Sequence, residues 1–169
     1  MTYNFVSGSF LSGDSPPHHA GDKITGQFTI SLRWKQVAEL QLELDPSLAL
    51  VNCRLAEINQ VLLNLVINAA DAIAERIATS SSEKGRITIR TRHENDCAIV
   101  EVDDTSCGIL PPQLSEIFHP SLTTKQVGKG TGQGLAITHE IVVNKHGGKL
   151  NVASTPGKRT TFVVKFPSE

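Results

Sequence analysis

Between Leu55 and Ile77 the chain reads LAEINQVLLNLVINAADAIAERI, and apolar residues recur at Leu55, Ile58, Leu62, Leu65, Ala69, Ala72 and Ile73. That is the spacing of a buried helical stripe. A second stripe on the same helix is polar: Glu57, Gln60, Asn64, Asn68, Asp71 and Glu75 follow one another by three or four residues and share a face. Val61, Leu63, Val66 and Ile67 flank it, which places Asn64 and Asn68 in half-buried positions. Buried amides need partners. Here they fit either a structural hydrogen-bond network or a ligand-facing wall, and the helix alone does not separate the two.

The pattern elsewhere is strand-like. Phe28, Ile30, Leu32 and Trp34 alternate with polar residues, as do Leu40, Leu42 and Leu44, the latter run closing at Asp45-Pro46. After the Ser80–Gly85 loop come Arg86–Arg92, with Ile87 and Ile89 inward, and Ala98–Val102. Glu94-Asn95-Asp96 between them is turn chemistry, so the two form an antiparallel hairpin. Pro111-Pro112 and Leu114–Phe118 predict a short helical turn, and Gly134–Lys145 a helix buried through Leu135, Ile137, Ile141 and Val142. His146-Gly147-Gly148 stops that helix with a left-handed glycine. Lys149–Ser154 and Thr160–Phe166 close the chain as strands joined by Thr155-Pro156-Gly157. Strands interleaved with helices and containing a hairpin predict an α+β fold: a two-layer α/β sandwich on a mixed, largely antiparallel sheet. Residues 1–26, rich in Ser, Gly, Pro and His, read as an irregular lead-in to a domain spanning 27–169.

Composition narrows the setting. A chain of 169 residues suits a single domain with its own core. Its 16 Lys and Arg against 17 Asp and Glu leave a net charge of −1, which argues against nucleic acid or an anionic membrane as partner. No apolar run approaches the roughly 18 residues that a spanning helix requires. The N-terminus lacks the basic start and apolar block of a signal peptide. Cys53, Cys97 and Cys107 are scattered, odd in number and without metal-ligand spacing, which fits a reducing, cytoplasmic setting. His18-His19, with no further ligands nearby, reads as loop.

The candidate chemistry lies in four places. Gly128-Lys129-Gly130-Thr131-Gly132-Gln133-Gly134 alternates glycines directly before a helix, an arrangement that lets backbone N–H groups cradle a phosphate. The spacing of those glycines matches neither the Walker loop nor the dinucleotide fingerprint. Asp104 ends a strand just before Gly108; its carboxylate can accept from an exocyclic amine while the glycine admits a flat ring. Ordinary turn chemistry accounts for the same pair. Asn68 offers a hard amide oxygen suited to Mg²⁺, which otherwise takes water and phosphate oxygens. Asn64, one turn earlier, can position a water or hydroxyl. Lys125 and Lys129 suit neutralisation of a γ-phosphate, or are solvated loop lysines. The zinc-protease pattern and the Gly-x-Ser-x-Gly elbow are both absent.

In order, NQVLLNLVINAADAI, DDTSCGI, IFHPSLTTK, GKGTGQGLAITHEIVVNKHGG and STPGKRTTF resemble the N box, first glycine motif, phenylalanine segment, second glycine motif and closing strand motif of sensor histidine kinase catalytic domains. The wider superfamily includes type II topoisomerases, mismatch-repair ATPases and a chaperone class. The match runs from about Glu39 to Pro167. The resemblance implies a Bergerat-type fold with ATP between the N-box helix and a lid over Phe118–Gly132. It implies Asn68 on Mg²⁺, Asn64 and Lys125 as catalytic groups at the phosphates, and Asp104 on the adenine amine with Gly108 beneath the ring. Gly130, Gly132, Gly134 and Leu135 would wrap the phosphates and Thr160 would support the adenine pocket. Asp71, Ile109, Lys129 and Thr131 complete the implied nucleotide-binding set. Hydrolysing branches usually place Glu where Asn64 stands, so the implied activity is phosphoryl transfer.

The sequence departs from the pattern at Ser106 and Arg159, each in place of Gly, at Ser121-Leu122 in place of an aromatic pair, and at His119 in place of an acid. No phosphoacceptor His-Glu-Leu/Arg hairpin precedes the domain. The implied partners are therefore a dimerisation and histidine-phosphoacceptor domain in another chain or a missing segment, with a response regulator beyond it. The alternatives are a stand-alone nucleotide-binding regulatory module without transferase activity and an anti-sigma-type serine kinase. Phe28–Trp34, at a sheet edge, also suits a homodimer contact.

Overall fold

The computed structural model describes residues 2–3, 35–48, 51–80, 83–119 and 133–168. The strand expected over Phe28–Trp34, with its homodimer contact, and most of the lead-in lie outside these residues.

Two short strands, β1 (Thr2–Tyr3) and β3 (Val51–Asn52), pair antiparallel as a small separate sheet. The main sheet has five strands: β2 (Ala38–Glu43), β4 (Gly85–Glu94), β5 (Cys97–Asp104), β6 (Lys149–Thr155) and β7 (Arg159–Pro167). Their order is β2-β4-β5-β7-β6. Only the β2–β4 pair is parallel, so the sheet is mixed and largely antiparallel, as the pattern predicts. The β4–β5 hairpin turns at Asn95 (φ 49°) and Asp96 (φ 54°). Two consecutive positive φ angles are what a type I′ turn demands, and Asn and Asp tolerate them better than other side chains.

Strand periodicity sorts the sheet into two faces. Ala98, Val100, Val102 and Asp104 of β5, with Thr160, Phe162, Val164 and Phe166 of β7, are buried on one face. The other carries paired charges: Arg90 meets Glu43 at 2.5 Å, Arg92 meets Glu101, and the Thr161 hydroxyl donates to Asp103 at 2.5 Å.

The apolar face is covered by α1 (Leu55–Ser80) and α3 (Gly134–His139), which widens to π geometry over Glu140–Lys145. A third helix, α2 (Pro111–Leu114), is a single turn opened by its two prolines. From α1, Ile58, Val61, Leu65, Val66, Ala69, Ala70 and Ile73 enter the core. Three expectations about helix burial are corrected here. Val61 and Val66 are buried rather than flanking, and Leu55 is 47% exposed; in α3, Ile137, expected on the buried side, is likewise exposed. The first turn of α1 meets polar groups instead: the Arg54 N–H donates to His146 Nε2 at 3.3 Å, and Lys145 Nζ donates to Glu57 at 2.9 Å. Burial of α1 therefore begins one turn later than the hydrophobic pattern indicates.

After the π turn the chain reverses at Gly147 (φ 61°), whose N–H and that of Gly148 close on the carbonyls of Val143 and Val142. Gly148 cannot be larger, because a Cβ there would lie 2.4 Å from the Lys165 carbonyl oxygen.

Leu65 is completely buried between α1 and the sheet. Leu65→Ala is expected to cost about 2–5 kcal/mol in equilibrium urea unfolding, and Leu55→Ala less than about 1 kcal/mol. Equal costs would place the core stripe of α1 wrongly.

Candidate functional site

The consecutive acids Asp103 and Asp104 diverge because strand side chains alternate. Asp103 points to the charged face, where Thr161 holds it, and Asp104 points under the helical layer with 2% exposure. Its Oδ1 accepts the Ser106 N–H at 2.9 Å, and Thr160 stands opposite it on β7. Burial nevertheless outweighs these contacts and pushes the Asp104 carboxyl up to about 6.

The loop after β5 is pinned to the β6–β7 turn. Gly108 has φ +73°, and a Cβ on it would stand 2.4 Å from the Thr155 carbonyl oxygen and 2.9 Å from Pro156. Glycine is required on both counts. The Gly157 N–H donates to the Cys107 carbonyl at 2.6 Å. The Ile109 N–H donates to Ser154 Oγ at 2.8 Å, and Ser154 in turn donates to the Arg159 carbonyl and lies 3.0 Å from the Thr160 hydroxyl. Asp104, Gly108, Ile109 and Thr160 are thus brought to one place. The two departures nearby are accommodated: Ser106 is buried without a positive φ, and the Arg159 side chain is exposed.

Asn64 and Asn68 are both half-buried on α1, as the helix pattern predicts, and Asp71 follows at the next turn. Asn64 is held at both ends. Gln60 Nε2 donates to its oxygen at 3.0 Å, and its own Nδ2 donates to the Gly134 carbonyl at 3.0 Å, with the Thr138 hydroxyl at 3.4 Å. Thr138, fully buried, donates to the same carbonyl at 2.8 Å. Asn64 is therefore tied to the first turn of α3, where Leu135 also sits half-buried against the core. At the other end of α1, Glu75 and Arg76 act electrostatically on Cys107 in the loop after β5. From Asn64 to Glu75 the helix advances about 16 Å, so its polar face spans from the start of α3 to the glycine loop.

The Phe118 ring lies 5.7 Å from that of His139 and 6.5 Å from that of Phe162. Lys125, Lys129, Gly130, Thr131 and Gly132 lie outside the described residues, as do Ser121 and Leu122; His119 is exposed. Among the described residues no three His, Cys, Asp or Glu side chains gather to hold a metal ion. An ion at Asn68 would take its other ligands from water and phosphate, as Mg²⁺ does, and the half-buried amide suits that arrangement.

Thr138 and Ser154, which hold Asn64 and Ile109, are residues that the sequence pattern did not single out, and Gln60, on the polar stripe, holds Asn64 as well. The one available signal is Thr138, a lone hydroxyl on the apolar side of Leu135–Val142, four residues after Gly134.

A five-stranded mixed sheet with a buried carboxylate at its central strand end, facing a helix lined with amides, defines a two-layer α+β sandwich. The chain belongs to the family described as histidine kinase-, DNA gyrase B-, and HSP90-like ATPase, whose model matches residues 54–169. Within it, the chain carries a histidine kinase-type ATP-binding catalytic domain. It is 37% identical over 144 residues to the sensor kinase CckA of Brucella abortus, a match covering 76% of this chain and 14% of that protein. It is 39% identical over 126 residues to the histidine-protein kinase AtoS of Escherichia coli, covering 74% and 19%. The chain therefore spans less than a fifth of the length of either relative. The nucleotide-free catalytic domain of histidine kinase ThkA superposes with a TM-score of 0.66 at 27% identity, covering 86% of each chain. None of the helices among the described residues is long and apolar enough to cross a membrane.

Because the Asp104 carboxyl binds its proton more tightly folded than unfolded, its burial opposes folding increasingly as pH rises from about 4 through 6. Asp104→Asn is expected to stabilise the nucleotide-free protein by on the order of 1–3 kcal/mol at about pH 7.5 and by almost nothing near pH 4. Thermal unfolding of both proteins at each pH measures this; an equal gain at both would assign the effect to packing.

Proposed function

We propose that this domain binds Mg²⁺-ATP along the polar face of α1 and donates the γ-phosphoryl group to a histidine on a dimerisation and phosphoacceptor domain. The observation that carries the reading is the buried Asp104 carboxylate beside Gly108. A carboxylate hidden from water, next to a turn that excludes any side chain, is costly unless a ligand donor uses it. An adenine amine donating to Asp104 would lay its ring against Gly108, with Thr160 and Ile109 at its edges. The triphosphate would then run along α1 toward Asn68 and Asn64. Asp71, Gly134 and Leu135 are assigned to the same site, as are Lys129, Gly130, Thr131 and Gly132.

When bound at Asn68, Mg²⁺ supplies neutralisation of the phosphate charge. In the transfer, an imidazole nitrogen of the acceptor histidine forms a bond to the γ-phosphorus while the bond to the β–γ bridging oxygen breaks, leaving ADP. Asn64 and Lys125 serve this step by orientation and charge. An amide at position 64 has no titratable proton to exchange with water, which favours transfer over hydrolysis. The acceptor would be a separate chain or another part of a longer protein, and a cytoplasmic response regulator would take the phosphoryl group onward.

Calorimetry with Mg²⁺ and a non-hydrolysable ATP analogue tests the site. Asp104→Ala and Asn68→Ala are each expected to weaken binding by about 10- to 100-fold, the loss expected for a hydrogen bond or ligand to a charged group. Labelled ATP with a separate phosphoacceptor domain is expected to give an acid-labile product. An acid-stable product on a partner serine would support a serine kinase instead, and tight binding without any transfer a regulatory module. Absence of binding by the unaltered domain would overturn the reading altogether.

A further inference from the structure

Thr138 is fully buried on α3, and its hydroxyl donates to the Gly134 carbonyl at 2.8 Å. A helical threonine often makes that bond to the carbonyl one turn back. Here the hydroxyl oxygen also lies 3.4 Å from Asn64 Nδ2, which donates to the same carbonyl at 3.0 Å. With its only hydrogen spent on the carbonyl, the Thr138 oxygen meets Asn64 as an acceptor. The two acceptors stand 2.8 Å apart, and the hydrogens of an amide diverge, so one Asn64 hydrogen is shared between them. A flipped amide would set oxygen against oxygen at Gly134.

We infer that Thr138 is a positioning residue for Asn64: together with the Gly134 carbonyl it captures one amide hydrogen and leaves the other as the donor this side chain presents to the γ-phosphoryl group. The inference rests on the reading of Asn64 as a group at the phosphates. The orientation itself needs no ligand.

The rigid partner in this arrangement is Thr138. The terminal torsion of an asparagine is soft, and a single bond to one carbonyl leaves the plane of the amide loosely set. Gln60 Nε2 donates to the Asn64 oxygen at 3.0 Å, but Gln60 is exposed and its side chain is long. Thr138 is β-branched and buried, so its hydroxyl is fixed with the helix. It acts on Asn64 twice, as an acceptor and by directing the Gly134 carbonyl that accepts from the same amide. A donor oriented before the reaction lowers the barrier where charge develops and adds little to ground-state binding. Loss of the hydroxyl is therefore read in kcat and not in KM.

The full chain is compared as wild type, Thr138→Val, Thr138→Ala and Thr138→Ser. Valine keeps the branched shape and alanine relieves packing, both without the hydroxyl, and serine retains it. Nitrogen-15 NMR of the Asn64 side-chain amide, identified by its loss in Asn64→Ala, is expected to show one of the two protons moved upfield in the valine and alanine variants. Serine should leave both near their wild-type positions. With labelled ATP, Mg²⁺ and a separate phosphoacceptor domain, valine and alanine are expected to lower kcat for transfer about three- to twentyfold while KM for ATP stays within about twofold. Serine should bring kcat back to within about threefold of wild type. Wild-type kcat in the hydroxyl-free variants, or Asn64 amide protons that do not move, would overturn the inference. So would equal losses in all three variants, the pattern of a disturbed helix pair. If wild type transfers nothing while the Asn64 signals still respond to Thr138, the positioning of the amide stands and the transfer reading fails.

Discussion

The structure depends on burying a carboxylate at the end of its central strand. β5 lies in the middle of the five-stranded sheet, and strand periodicity carries its last residue under the helices with Ala98, Val100 and Val102. A sequence selected for stability alone would place an apolar residue there. Asp104 instead opposes folding at neutral pH, and the surrounding architecture limits that cost. The Ser106 N–H supplies a hydrogen bond, and the Gly108 N–H ties the Ser106 hydroxyl into the turn. The turn is held in its left-handed form by the β6–β7 connection, through Gly157 on Cys107 and Ser154 on Ile109. Sites that retain such groups against stability are commonly functional ones.

A second constraint couples the two helices over the sheet. α1 and the α3–π segment run in opposite directions, joined near one end by Asn64 on Gly134 and near the other by Glu57 and Arg54 on Lys145 and His146. The π turn fits this geometry. Widening the helix over Glu140–Lys145 keeps both Ile141 and Val142 in the core, while His146 contacts the Ile141 carbonyl at 2.8 Å and stacks edge-on to Phe166. The start of α3 is thereby fixed against α1 by a side chain that the proposed reading places at the phosphates.

Much of this was legible because period and turn chemistry are local. The hairpin followed from Asn95-Asp96, the last reversal from Thr155-Pro156-Gly157, and the half-buried state of Asn64 and Asn68 from the residues around them. What was not legible depends on neighbours distant in sequence. Whether Leu55 or Val61 is buried is decided by what packs against each turn of α1, and its first turn meets Lys145 and His146. The pairing direction of β2 with β4 is not encoded in alternation, and two-residue strands such as β1 and β3 carry no period at all. At the site, the motif residues could be named from their order. The hydroxyls of Thr138 and Ser154 could not, because serine and threonine are unremarkable in sequence and acquire meaning only from the carbonyls they meet.

Asn64 shows how the two constraints meet. Its amide oxygen accepts from Gln60 and its amide nitrogen donates to Gly134, so its orientation is fixed by neighbours on either side. A glutamate in the same place would face the Gly134 carbonyl with acceptor oxygens only, and α3 would lose its tie to α1. The exchange from amide to carboxylate therefore changes more than the supply of a general base: it removes a donor on which the packing of α3 relies. In this chain, the residue that the proposed reading places at the phosphates also ties α1 to the start of α3. Restoring a base at position 64 would accordingly disturb the helix pair as well as the chemistry proposed for it.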